Sequence, residues 1–309
     1  MATTRSTVDS ASLLFNGSNG NENVDISALS FNGHVRLFRD VGNVTMDLHG
    51  AEGIIFNALG GADNVAIGDV SGTDLALSGI ALDLAGTAGG GDGSLDTVTI
   101  NGRDTINGRA IDDTIDISTV DGVIFVTGSP ATVAIFNAEA NDQLVVNGSA
   151  GDDTIDASAL TAGAITLRLE GDGGLDTLIG NAGNDVLVGG TGYADSLFGG
   201  DGQDTFVFSG LSLATLDTGI GANNRDVIED FSADIIDLQQ IDANVNAAGD
   251  QAFSFIGTNA FTAAGQVRFF ADSAGNTIVE GNVDGNLGAD FQIELHAFTA
   301  QLQAGNFVL

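Results

Sequence analysis

Residues 171–207 read GDGGLDTLI, GNAGNDVLV, GGTGYADSLF, GGDGQDTFV. The unit is a Gly-rich turn, an Asp, and a short run with one large apolar residue, nine or ten residues in all. Ala182 stands ahead of the inner Gly in the second copy. The carboxylates recur at Asp176, Asp185, Asp195 and Asp204, and the apolar positions at Leu178, Leu187, Leu197 and Phe206. A turn of this kind needs Gly because its backbone visits positive φ. The strand that follows points one large residue inward and its neighbours outward. The repeats predict a solenoid whose coils each carry two or more short strands.

Working outward, the signature loosens. Gly148 to Asp156 reads GSAGDDTID with Asp153 in the key place, Gly17 to Asp25 reads GSNGNENVD with Glu22 there, and Asp63 and Asp96 close similar loops. Val24-Asp25-Ile26-Ser27 matches Ile115-Asp116-Ile117-Ser118. Residues 17–103 and 108–183 therefore read as two copies of one module. The expected organisation is a degenerate solenoid module over 1–105, a second over 106–170, the tandem repeats over 171–207, and a strand-rich C-terminal domain over 208–309. Strand centres are expected at Val24, Val35, Val44, Ile54, Val65 and Leu75, with the single Pro130 at a turn. After Phe208 the period stops and Phe-rich alternating runs take over, with a short helix expected in Leu211–Asp217. The fold class is all-β, a parallel β-roll or β-solenoid followed by a β-rich domain.

Composition supports this. The 309 residues carry 42 acidic and 8 basic side chains, a net charge of −34, and the acids are 35 Asp and 7 Glu. A solvated helical surface would use Glu; Asp belongs to turns and metal loops. The 45 Gly exclude a mainly helical chain. A polyanion is a poor partner for nucleic acid or an anionic membrane surface. There is no Cys, hence no disulfide or thiolate chemistry, and no apolar run of membrane-spanning length. The first twenty residues show no apolar core with a cleavage site, so no Sec signal is expected.

The chemistry that fits is calcium ligation. Calcium takes six to eight hard oxygens. A Gly-rich loop turns carbonyls toward one point, its Asp adds a charged oxygen, and a second loop stacked on the first completes the shell. With two loops per coil, every second loop stacks, so Asp176 should sit over Asp195 and Asp185 over Asp204, with Asp153 extending the first column. The candidate metal positions are Asp153, Gly171, Gly173, Asp176, Gly180, Ala182, Asp185, Gly190, Gly192, Asp195, Gly199, Asp201 and Asp204, with Asp201, like Asp172, supporting at best. Ile111 replaces the inner Gly near Asp113, which is therefore not expected to be a ligand. Asp284, Asn286 and Asp290 form either another calcium loop or a plain Asx turn.

The run 171–207 resembles the repeats-in-toxin (RTX) calcium-binding β-roll. Its continuation resembles the C-terminal domain of serralysin-type metalloproteases, through Asp204-Thr205-Phe206-Val207-Phe208, Arg225-Asp226-Val227-Ile228-Glu229-Asp230-Phe231, Asp234-Ile235-Ile236-Asp237-Leu238, Phe253-Ser254-Phe255-Ile256-Gly257 and Asn282-Val283-Asp284-Gly285-Asn286. The likeness covers roughly 170–309; the match of 17–170 to degenerate modules of RTX proteins is weaker. The resemblance implies a secreted bacterial protein that binds Ca2+ and is exported by a type I secretion apparatus reading its C-terminus. The ending Phe307-Val308-Leu309 is then part of the address or, alternatively, a closing edge strand. The protease part is absent: His34, His49 and His296 include no H-E-x-x-H pair, and no G-x-S-x-G is present. The expectation is a non-catalytic calcium-binding protein with no nucleic-acid partner and no membrane insertion. The alternatives are a polysaccharide-acting enzyme with an acidic site, or an adhesin or surface-layer component meeting a glycan or cell surface.

Overall fold

The computed structural model describes the chain except residues 1–2, 30–32, 107, 193 and 211, and gives only the backbone of 3–11 and 106. It divides into two units. One holds Met1–Ala150 with Ile155–Arg168, the other Gly151–Thr154 with Leu169–Leu309. Strands dominate both; the described residues hold a single α-helical turn, Leu75–Ser78.

In the second unit the repeats stack as parallel coils. Thr177–Ile179 pairs with Ser196–Phe198, placing Leu178 on Leu197, and Val186–Thr191 pairs with Thr205–Gly210, placing Leu187 on Phe206. All four apolar residues are fully buried. Parallel strands that pack inward need such a continuous apolar column, because the coil is thin and each rung supplies one large side chain.

The stacking outlives the repeat. Asp226–Ile228 lies parallel on Ser196–Phe198, with Ile228 on Leu197, and Ile235–Ile241 lies on Thr205–Gly210, with Ile236 on Phe206. Leu295 then follows Ile228, and Phe307 follows Ile236. The tandem Gly loops end at residue 204, but the inward columns continue, through the Asp-x-Ile runs 226–228 and 234–236 and then through Leu295 and Phe307, which no such Asp precedes. The Phe-rich part adds an antiparallel meander of Gln266–Ala271, Thr277–Asn282 and Phe291–Leu295. Phe253 meets Phe291 edge-on at 5.8 Å. Phe307–Val308 is an edge strand on Ile235–Ile241, its Phe307 ring 5.1 Å from Phe255. The helix expected in 211–217 does not form. Leu211 lies outside the described residues, and from Ser212 a turn closes through the Thr215 amide on the Ser212 carbonyl, 2.9 Å.

The first unit is a less regular solenoid. Val24, Val65, Val98 and Leu144 form one buried parallel column, and Ile54, Ile80 and Val133 another. The expected ten-residue spacing fails at three places, the first being Val44, which belongs to the same strand as Ile54, Val44–Leu59. Val35–Arg39 is antiparallel to both Asn23–Ala28 and Val44–Leu59, so it is an inserted hairpin strand rather than a rung. Leu75 is buried from the short helix, not from a strand. A second antiparallel hairpin, Thr114–Val120 with Val123–Thr127, turns at Asp121-Gly122 with φ of 53° and 81°. Those positive angles are what a two-residue turn matched to the strand twist requires.

Candidate metal centre

Each key Asp is placed by the turn before its strand and by the coil that follows it. The Oδ1 of Asp176 accepts the Asp153 amide at 2.8 Å, Asp195 Oδ1 accepts the Asp176 amide at 2.8 Å, and Asp226 Oδ1 accepts the Asp195 amide at 3.0 Å. On the other side Asp204 Oδ1 accepts the Asp185 amide at 2.9 Å and Asp234 Oδ1 the Asp204 amide at 3.0 Å. The carboxylates thus form two ladders, one rung per coil. The expected neighbours, Asp176 with Asp195 and Asp185 with Asp204, are brought together, and Asp153 extends the first ladder.

This bonding uses one oxygen of each group. The Oδ2 atoms of Asp176, Asp195, Asp204 and Asp226 are buried without a hydrogen-bond partner. A buried carboxylate oxygen left unpaired is costly, since burial removes its water and nothing replaces it. The Oδ2 atoms of Asp176, Asp195 and Asp204 lie where Gly171, Gly189 and Gly199 lack a side chain. A Cβ on Gly171 would collide with Asp176 Oδ2 and the Gly189 carbonyl, one on Gly180 with Asp185 Oδ2 and the Gly199 carbonyl, and one on Gly199 with Asp204 Oδ2. Side-chain and main-chain oxygens therefore crowd into one small space beside each rung. These donors are hard, anionic or carbonyl oxygens with no nitrogen or sulfur, which suits calcium. Among the described residues no three Asp, Glu or His side chains converge as a metal-holding group. The ladder explains this: it spaces its acids one per coil, so a bound ion would draw much of its shell from loop carbonyls.

Burial shifts these acids strongly. It raises Asp176 to about 8, Asp204 to about 7 and Asp195 to about 6, against the opposing amide hydrogen bonds, with neighbouring carboxylates adding to the rise. Asp226 is raised well above the ordinary carboxylate value by burial and by Asp195 and Asp217, and burial takes Asp217 to about 6. Unneutralised, the columns hold charge in a medium that resists it.

The remaining candidates lie around this frame. Gly190 and Gly192 press on the Asp172 and Gly174 carbonyls of the coil before, leaving no room for a Cβ. Gly173 is half-buried in strand Thr166–Gly173. Ala182 and Asp201 are exposed on their loops. Asp284 makes an Asx turn, its Oδ1 accepting the Asn286 amide at 2.8 Å. His34 Nδ1 lies 2.6 Å from Asp47 Oδ1 and the ring packs against His49. Asp226, Asp234 and Asp217 were missed by sequence reasoning; the first two carry the Asp-x-apolar signal of the repeats, whereas Asp217 carries none.

The first unit has a ladder of its own: Asp63 Oδ1 accepts the Glu22 amide, Asp96 Oδ1 the Asp63 amide and Asp142 Oδ1 the Asp96 amide, at 2.8–3.0 Å. Asp63 Oδ2 is unpaired, and burial raises Asp63 to about 7 and Asp96 to about 6. At Glu22 and Asp113 the arrangement differs. Glu22, fully buried, takes Arg39 Nε at 2.8 Å on Oε2 and Arg39 Nη2 on Oε1. Asp113 Oδ1 lies 2.7 Å from Arg103 Nε, an ion pair lying off the N–H direction.

No family model and no curated protein matches the chain. Among solved structures it is similar to two subunits of the Azotobacter vinelandii mannuronan C5-epimerase. The AlgE6R3 subunit is 29% identical over 52% of this chain and 80% of that one, with a TM-score of 0.36. The AlgE6R2 subunit is 25% identical over 52% of this chain and 90% of that one, with a TM-score of 0.33.

Proposed function

We propose that the chain is a non-catalytic calcium-binding β-roll whose loops order around the ion outside the cell. The observation that carries this reading is the row of buried, partnerless Oδ2 atoms at Asp176, Asp195 and Asp204, each packed where a glycine leaves space. A divalent cation is the simplest partner for oxygens that are anionic, buried and unbonded. Loops 171–207 would hold it through Asp176, Asp185, Asp195 and Asp204 with carbonyls such as those of Gly189 and Gly199. The large negative charge opposes compaction until it is neutralised. Binding to the folded form adds about 2.7 kcal/mol per site at a hundredfold excess over Kd. Scarce calcium inside a cell and abundant calcium outside would then separate an open form fit for export by a type I apparatus from a closed one. No described helix is long and apolar enough to cross a membrane.

The test is far-UV circular dichroism and calorimetry of the full chain, first in chelator and then with calcium. The expected result is a gain of β signal with saturable binding. An unchanged spectrum with no heat of binding overturns the reading.

A further inference from the structure

The loops of the two units share a local geometry but not a source of positive charge. In the second unit the Asn181 amide, one residue after Gly180, donates to Asp185 Oδ2 at 2.6 Å. A Cβ on Gly180 would meet that Oδ2 and the Gly199 carbonyl. In the first unit the Arg103 amide, one residue after Gly102, donates to Asp113 Oδ2 at 2.5 Å. A Cβ on Gly102 would meet that Oδ2 and the Gly148 carbonyl. The two cradles have the same parts in the same order: a bare glycine, an amide, a carboxylate and a facing carbonyl.

The difference is the side chain on the amide-bearing residue. Asn181 is neutral, and residues 169–224 contain no Arg or Lys at all. Arg103 instead turns its guanidinium back onto Asp113, with Nε 2.7 Å from Oδ1. The first rung repeats the device with other parts. A Cβ on Gly17 would meet Glu22 Oε2 and the Ala58 carbonyl, and Glu22 is closed by the Arg39 fork and by Ser18 Oγ at 2.5 Å. Arg39 comes from the inserted hairpin strand Val35–Arg39, which has no counterpart as a solenoid rung. Arg is suited to this task because it is always charged and its planar fork matches a carboxylate.

We propose that Arg39 and Arg103 are built-in cations, filling at Glu22 and Asp113 the place that calcium takes beside the Asp rungs of 171–207, and so deciding which loops of the chain take no metal. The inference rests on the calcium reading of 171–207. It also explains the Glu at position 22: a longer acid reaches a guanidinium anchored on another strand, whereas an ion between two loops needs the shorter Asp. Removing a guanidinium while keeping its carboxylate, backbone amide and carbonyl should leave a cradle with the composition of a metal loop.

The experiment is calcium calorimetry and thermal unfolding of the full chain as wild type, Arg103→Met, Arg103→Lys and Arg103→Met with Asp113→Asn, and the same with Arg39→Met. Arg103→Met should bind one calcium more than wild type and unfold at lower temperature in chelator, with calcium restoring the loss. Arg103→Lys should keep the wild-type stoichiometry, and Asp113→Asn should abolish the gain. A folded Arg103→Met and Arg39→Met that both bind no more calcium than wild type overturn the proposal. Variants that fail to fold in calcium as well as in chelator also count against it, since the ion should replace the lost charge. A wild type that binds no calcium removes the reading of 171–207 itself and this inference with it, an outcome visible in the wild-type titration alone.

Discussion

The first unit closes Glu22 and Asp113 with guanidinium groups and leaves Asp63 a bare oxygen, while the second leaves Asp176, Asp195, Asp204 and Asp226 with a bare oxygen each and closes none of them with an Arg. Both place carboxylates on ladders by the same amide-to-Oδ1 hydrogen bond. The ladder is therefore a matter of backbone geometry, and the means of neutralising it is a separate choice made by side chains. An internal Arg gives a coil that is complete as synthesised. A coil without one depends on what the solution supplies.

The sharpest way to break this comparison is to remove calcium. Hydrogen exchange on the full chain in chelator should show protection lost across 177–207 but kept at the amides of 23–28 and 114–120, a difference of at least a hundredfold in exchange rate. Local stability differs between segments in this way when only some lose their partners. Equal loss in both would erase the distinction.

Next in size is the glycine cradle. Gly180→Ala should weaken calcium binding at least tenfold by calorimetry, because the new Cβ meets two oxygens of the site. Gly89→Ala, in the first unit, meets no atom within 4 Å and is strained only by its φ of 80°. It should cost about 1 kcal/mol of stability and no calcium affinity. A smaller effect is expected from Asp195→Ala, which should weaken the ion shared with Asp176 and largely spare the Asp185 and Asp204 ladder. Asp113→Ala should leave calcium binding unchanged. Equal losses from the two Asp variants would mean that diffuse charge, not ligation, binds the ion.

The smallest effect is on pH. Burial raises Asp176, Asp204 and Asp63 to between about 7 and 8 from an ordinary 3.8. A folded state that holds protons more tightly than the unfolded one is favoured at low pH. That stability is fully present near pH 4 and is lost as pH rises through 7 to 8. In chelator the thermal midpoint should fall by several degrees between pH 5 and 8.5, and saturating calcium should flatten or reverse the trend. A midpoint in chelator that rises over this range contradicts the assignment of these acids as unneutralised.

Much of the second unit was legible because its signals are local. Leu178, Leu187, Leu197 and Phe206 follow an Asp at a fixed distance, and the nineteen-residue step between like rungs, Asp176 to Asp195 and Asp185 to Asp204, is that of the observed stacking. What the sequence hid depends on long loops. Asp226 and Asp234 join the ladders after steps of 31 and 30 residues, too far along the chain for the nine- or ten-residue period to connect them. The two Arg closures were hidden for a similar reason. Arg39 reaches Glu22 across a hairpin 17 residues on, and Arg103 reaches Asp113 over a ten-residue loop. Leu75 has the right character for a rung, but the Gly72-Thr73-Asp74 turn before it opens a helical turn instead.

The direction of the ladder bonds sets an order of events. The amides of Glu22, Asp63 and Asp96 in one unit, and of Asp153, Asp176, Asp185, Asp195 and Asp204 in the other, are each paired by the carboxylate of a coil further along the chain, and the first column of the second unit ends where the Thr218 hydroxyl accepts the Asp226 amide at 2.9 Å. A ribosome makes the chain from the opposite end. At each moment of synthesis the newest rung is therefore a donor whose acceptor has not yet been made, and the Asp195 amide waits for another 31 residues. The growing chain carries a moving open end, so a polypeptide cut short inside the repeats is an unfinished seam rather than a smaller version of the fold.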